Sequence, residues 1–217
     1  MAYKKRNLMK CCSINICGLS DRSRFTLNNY AYSEDFDTLA VQETLSTNLD
    51  NISLTNMKVI TDDNNAANRG AALFVNKKFT ITKLKEINQI SKNIDSAWGL
   101  GVINKKRYIL GSIYVKLGYE NAISDAIAML DKAYLMMNKH KASAVILCGD
   151  FNAKHTEWGN NTVDDYGKKL FENLDKTKFS ILTSEQPTFI CKNRETIGTS
   201  HIDLTIVTNN LIEKLET

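Results

Sequence analysis

The order of elements constrains this chain most. Short β-rich runs appear at residues 8–16, 38–41, 57–61, 71–75, 97–103, 108–115, 144–148, 179–182 and 202–207. They are rich in β-branched and other apolar residues and are bounded by polar or turn-forming ones. Only three stretches have helical spacing. Residues 121–139 set Ile123, Ile127, Leu130, Tyr134 and Met137 on one face, and residues 167–175 group Leu170, Phe171 and Leu174. Residues 21–32 form a third, weaker candidate. About nine or ten strands against three helices argue against a doubly wound sheet, which needs a helix between most strands. Two packed sheets with helices outside fit better. The runs 108–115 and 144–148 are apolar at both parities, so these strands should be covered on both faces.

At 217 residues the chain suits one domain with a substantial core. The formal net charge of +4 is compatible with a polyanionic partner without requiring one. Three histidines argue against a His-rich metal site. The five cysteines form no CxxC pair and no zinc spacing, which points to a reducing compartment without disulfides. Lys10, Ser13 and Asn15 interrupt any signal-peptide core, and no apolar stretch is long enough to span a bilayer. The expected location is therefore intracellular, nuclear or cytoplasmic, and not secreted, with no membrane partner.

Five strand ends carry groups capable of chemistry. The buried run at 144–148 leads into Gly149-Asp150-Phe151-Asn152. In extended geometry Asp150 and Asn152 would point the same way and could hold a metal, orient water or donate to a phosphate oxygen. Read alone, the same tetrapeptide fits an Asx-turn equally well. Glu43 ends the run 38–41 and Asn15 lies near the end of the first strand. Tyr114 ends the run 108–115, where a phenol is usually core with its hydroxyl at the rim. Asp203 alternates with Ile202 and Leu204, and a carboxylate inside such a strand needs a partner.

In order, these strand-end residues resemble the endonuclease/exonuclease/phosphatase superfamily, over about residues 8–207. The segment from Gly149 to His155, with Trp158-Gly159 after it, is similar to the endonuclease domain of non-LTR retrotransposons, the jockey-like group especially. Arg69-Gly70 before a strand, Pro187-Thr188-Phe189, and the segment Ser200 to Thr205 resemble further pieces of that pattern.

The resemblance implies an α+β four-layer sandwich, two packed β-sheets flanked by helices, like deoxyribonuclease I, in a single domain spanning 1–217. It implies a Mg²⁺-dependent DNA endonuclease that nicks target DNA for retrotransposition, with Mn²⁺ as a substitute ion. Glu43 matches the metal ligand, with Asn15 beside it. Asp150 matches the residue that positions or deprotonates water. Asn152 and Tyr114 match donors to the phosphoryl oxygens, and Asp203 matches the carboxylate that orients a catalytic histidine. Arg69, Lys154 and His155 are the candidates for DNA contact.

The family carries that histidine in a terminal Ser-Asp-His, and the 14 residues after Asp203 (217 − 203) contain none. None of His140, His155 and His201 is an obvious replacement, and His201 should share a strand face with Asp203. The expectation is a truncated or degenerate copy with weak or no nicking and reduced stability. Were the chain a fragment, a reverse transcriptase domain would be its partner. The alternatives are a catalytically impaired domesticated domain that binds nucleic acid, and a phosphatase or sphingomyelinase of the same fold.

Overall fold

The structure is a computed structural model that describes residues 9–45, 53–61, 70–87, 91–174, 176–183, 185–192 and 197–212. Along the chain run β1 (Cys11–Asn15), α1 (Asp21–Glu34), β2 (Thr38–Gln42), β3 (Met57–Thr61), β4 (Ala71–Asn76), β5 (Thr80–Lys83), β6 (Ile94–Ile103) and β7 (Lys106–Val115). Then follow α2 (Ala122–Lys139), β8 (Ala144–Asp150), α3 (Asp165–Leu174), β9 (Phe179–Leu182), β10 (Phe189–Lys192), β11 (Ile197–Ser200), β12 (Asp203–Thr208) and α4 (Asn209–Ile212). One sheet has the order β1-β2-β4-β3 and the other β5-β6-β7-β8-β12-β9, while β10 and β11 form a separate hairpin.

Strand alternation builds four layers. In β2 and β4, Leu39, Val41, Ala72 and Phe74 face α1 and pack with Leu27 and Ala31. Their neighbours Ala40, Leu73 and Val75 face the other sheet and meet Leu110, Ile146, Cys148 and Val207. On the far face of the larger sheet, Ile109, Ile113, Val145 and Leu147 pack against Ile123, Leu130 and Ala133 of α2 and Leu170 of α3. The central strands are thus apolar at both parities because both faces are covered. Full burial of each such large side chain contributes about 1.5–3 kcal/mol.

Local chemistry fixes the element ends. Ser20 caps α1, its Oγ accepting from Ser23 N at 3.2 Å. Asn104 and Lys105 take left-handed φ of 50° and 66° between β6 and β7, as a two-residue hairpin turn requires. All five cysteines are free, and burial pushes the Cys148 thiol up to about 11. No helix among the described residues is long and apolar enough to cross a membrane.

The sequence reading missed β5, β10 and β11. The edge strand β5 alternates exposed with half-buried residues and carries little apolar signal. In the β10–β11 hairpin, Phe189, Ile190 and Ile197 are exposed. Burial therefore left no pattern there to read.

Candidate active site

Sheet direction gathers the strand ends. β1 and β2 run parallel, as do β7 and β8, while β4, β6 and β12 run antiparallel to their neighbours. One end of the sandwich therefore receives the last residues of β1, β2, β7 and β8 and the first of β4, β6 and β12. Asp150 closes β8 and is flanked in register by Tyr114 of β7 and Asp203 of β12. Asn15 closes β1, and its Nδ2 donates to Glu43 Oε1 at 2.9 Å and to Asp150 Oδ2 at 3.1 Å. That amide joins the two sheets across the mouth. Asn15, Glu43, Tyr114, Asp150, Asn152, Lys154 and Asp203 all line one groove of about 1060 Å³.

The segment after β8 departs from the extended geometry expected of it. Asp150 Oδ1 accepts from Asn152 N at 2.9 Å, and Asn152 has φ 48°. The Asx-turn and the site are the same structure. The left-handed turn swings Asn152 out of the strand, and its Nδ2 donates to Val115 O at 2.8 Å. Gly149 is required because a Cβ there would lie 2.0 Å from the carbonyl oxygen of Ile113. Glu43 is also left-handed, with φ 51°. Its own carbonyl accepts from Gly18 N at 2.7 Å, and the next residue's Thr44 N donates to Gly70 O at 3.3 Å.

Residues 110–217 match a family model described as endonuclease-reverse transcriptase. The fold matches the endonuclease domain of TRAS1, a telomere-specific non-LTR retrotransposon, at TM-score 0.78 and 18% identity, covering 95% of this chain and 88% of that one. The fold is that of the endonuclease/exonuclease/phosphatase proteins, one of which, from Bacteroides thetaiotaomicron, aligns at TM-score 0.70 and 15% identity over 92% of this chain and 80% of that one. A mannosyl-6-phosphatase from Bacteroides thetaiotaomicron aligns at TM-score 0.70 and 15% identity, with 93% of this chain and 86% of that chain covered. An AP endonuclease from Leishmania major gives TM-score 0.70 and 13% identity, with 94% and 80% covered. No curated protein sequence matches the chain.

The chain concentrates negative charge at the groove. Burial, then the charge of Asp203, raises the Asp150 carboxyl to about 7, although Asn152 N and Asn15 pull it partly back. Burial also raises Asp203. Glu43 adds its charge to both. Among the described residues no three His, Cys, Asp or Glu side chains gather closely enough to hold an ion by themselves. The donor set nonetheless suits Mg²⁺, which is bound through one or two carboxylates with water and substrate phosphates completing its shell. Asn15 Oδ1 accepts from Cys17 N at 3.1 Å, so in this arrangement the amide presents N–H, not oxygen, to the carboxylates.

Lys154 is exposed at the groove, whereas His155 stacks on Phe171 at 4.4 Å and does not line it. Arg69 lies outside the described residues; the next residue, Gly70, donates its N–H to Asp95 Oδ2 at 3.0 Å. His201 precedes β12 instead of sharing its face. Asn160 replaces the ladder there, since its Oδ1 accepts from His201 N and its Nδ2 donates to His201 O, both at 2.9 Å. Asp203 Oδ1 is buried without a hydrogen-bond partner among the described residues.

Two groove residues were not singled out from sequence. Thr188 Oγ1 accepts from Asp203 N at 3.1 Å and so fixes the start of β12; its signal was the Pro187-Thr188-Phe189 turn. Asp164 Oδ1 accepts from Gly167 N at 2.7 Å and Lys154 N at 3.1 Å. It caps α3 and pins the Lys154 loop at once, and a polar residue three before a helical glycine was its signal.

Proposed function

We infer that this chain is a divalent-metal-dependent phosphodiesterase that nicks DNA in the groove at the ends of both sheets. The carrying observation is that Glu43, Asp150 and Asp203 line the same groove, with the Asn15 amide of the Glu43 sheet bonded to both Glu43 and, across the mouth, Asp150. Three carboxylates around a groove would repel a phosphodiester unless a cation came with it. Glu43 would hold the ion, and Mg²⁺ when bound supplies neutralisation of charge on the scissile phosphate. Asp150, held by Asn152 N and Asn15, orients the attacking water and takes its proton, a role favoured by a carboxyl near neutrality. The second N–H of Asn152 Nδ2 and the Tyr114 hydroxyl donate to the phosphoryl oxygens. Lys154 meets the backbone phosphate of the DNA. The mild positive charge and the retrotransposon endonuclease likeness support DNA over a phosphate monoester. In this reading the nick serves retrotransposition and leaves a 3′-hydroxyl for a reverse transcriptase partner.

A catalytically impaired nucleic-acid-binding domain is the second reading. It is favoured by the orphan Asp203 Oδ1, the oxygen from which an imidazole N–H would be oriented. Supercoiled plasmid and a sugar phosphate monoester, each incubated with Mg²⁺ and then with chelator, test the assignment. Nicked circles only with Mg²⁺, and no phosphate release, support the nuclease. Phosphate release without nicking overturns it, and duplex binding without either reaction favours the impaired domain.

A further inference from the structure

The end of the sandwich opposite the groove receives the starts of β1, β2, β7 and β8 and the ends of β4, β6 and β12. Its turns carry Lys58, Lys77, Lys105, Lys106, Lys141 and Lys178, all exposed. Hydrogen bonds tie the turns of each sheet together. On the smaller sheet, Lys77 N donates to Asn56 O at 2.7 Å and Lys58 Nζ to Phe79 O at 3.2 Å. On the larger sheet, Arg107 Nη1 donates to His140 O at 3.1 Å, Ser143 N to Arg107 O at 2.7 Å, and Asn209 N to Lys178 O at 2.8 Å.

Three carboxylates near this end are engaged, while the exposed Asp35 before β2 has no ion pair among the described residues. Glu34 pairs with Lys10 at 2.7 Å, Asp37 with Lys78 at 2.7 Å, and Glu86 with Lys139 at 3.7 Å. Among the described residues the six lysines above have no such partner. The modest net charge of +4 thus conceals a polarity, with carboxylates at the groove and lysines at the far end. β7, 10 residues long, separates the two ends by roughly 30 Å at about 3.3 Å per residue. That is nearly four Debye lengths of about 8 Å at physiological salt, so these lysines do not act on a ligand in the groove through space.

We propose that this basic end is a second nucleic-acid-binding surface, holding the phosphate backbone of a segment distinct from the one in the groove. Lysines spread over turns from both sheets suit an extended polyphosphate. They stand on no amphipathic helix with an apolar face to insert, as a lipid surface would require. The choice of nucleic acid over another polyanion rests on the proposed function; the surface itself does not.

The test uses the full chain in Mg²⁺, with two short duplexes of cleavage-resistant phosphorothioate backbone carrying donor and acceptor dyes. The parent should bridge them and give energy transfer. Lys106→Glu with Lys178→Glu should abolish bridging, yet still bind one duplex, with a salt slope smaller by about 2. Lys168→Glu with Lys169→Glu, the same charge change on α3, should still bridge. The proposal is overturned if the parent never bridges, if both double variants lose bridging alike, or if the distal variant bridges as the parent does. Tighter binding to phosphatidylcholine/phosphatidylserine vesicles than to duplex would overturn it in favour of a membrane. Failure to nick plasmid with bridging intact would reject the proposed function and leave this surface standing.

Discussion

Replacing Asp150 by asparagine should stabilise the metal-free protein at alkaline pH. Asp150 is 4% exposed, and its carboxyl is raised from 3.8 to about 7. A raised carboxyl contributes stability that is full below the unfolded value and is lost as pH rises through the folded one. Raising the carboxyl from 3.8 to about 7 corresponds to about 4 kcal/mol. The amide has the shape of the protonated acid. Like that acid, it keeps one oxygen to accept from either Asn152 N or Asn15 Nδ2. The stability difference, variant minus parent, should therefore be near zero at about pH 4 and climb to about 4 kcal/mol by about pH 8. Urea melts of both proteins in chelator across that range measure it. Added Mg²⁺ should reverse the order at high pH by stabilising the parent alone. A difference that does not change with pH, or a variant weaker than the parent at pH 8 in chelator, would refute the buried-carboxylate reasoning.

Gly149→Ala should destabilise by about 3 kcal/mol or more, seen as a lower urea midpoint, since the new methyl meets the Ile113 backbone and not a movable side chain. Asp95→Asn should cost about 3 kcal/mol by leaving Lys116, 15% exposed and 3.0 Å from Asp95 Oδ1, without its counter-charge. Lys116→Met in the same protein should recover part of that loss in thermal melts. Asn160→Ala should cost about 2 kcal/mol, because both backbone groups of buried His201 lose their partner. Hydrogen exchange at the His201 amide reads that change directly.

The central architecture was legible because burial on both faces writes apolar residues at both parities. The runs 108–115 and 144–148 became β7 and β8 almost to the residue, and 121–139 became α2. The α2 face held as well, with Ile123, Leu130 and Met137 buried. Asn15, Glu43, Tyr114 and Asp150 were legible as polar groups closing apolar strands, and Asp203 as a carboxylate among apolar strand residues. Their convergence was not, because it depends on which strands run parallel. The Asx-turn at Asp150 was visible only as an alternative to a site, since sequence separation does not show that Asn152 is left-handed. His201 was misjudged for a related reason. Its backbone is satisfied by the side chain of Asn160, 41 residues away, and no local pattern encodes that.

The proposed activity is phosphodiester scission at the groove carboxylates. The most direct measurement is the initial rate of plasmid nicking in Mg²⁺ for the parent, Asp150→Ala and Glu43→Gln, each first shown to be folded. The parent should convert supercoiled plasmid to nicked circles, and each substitution should lower that rate by at least about 100-fold, the scale of losing one general base or one site of charge stabilisation. Equal rates for all three would place any scission elsewhere and contradict the account.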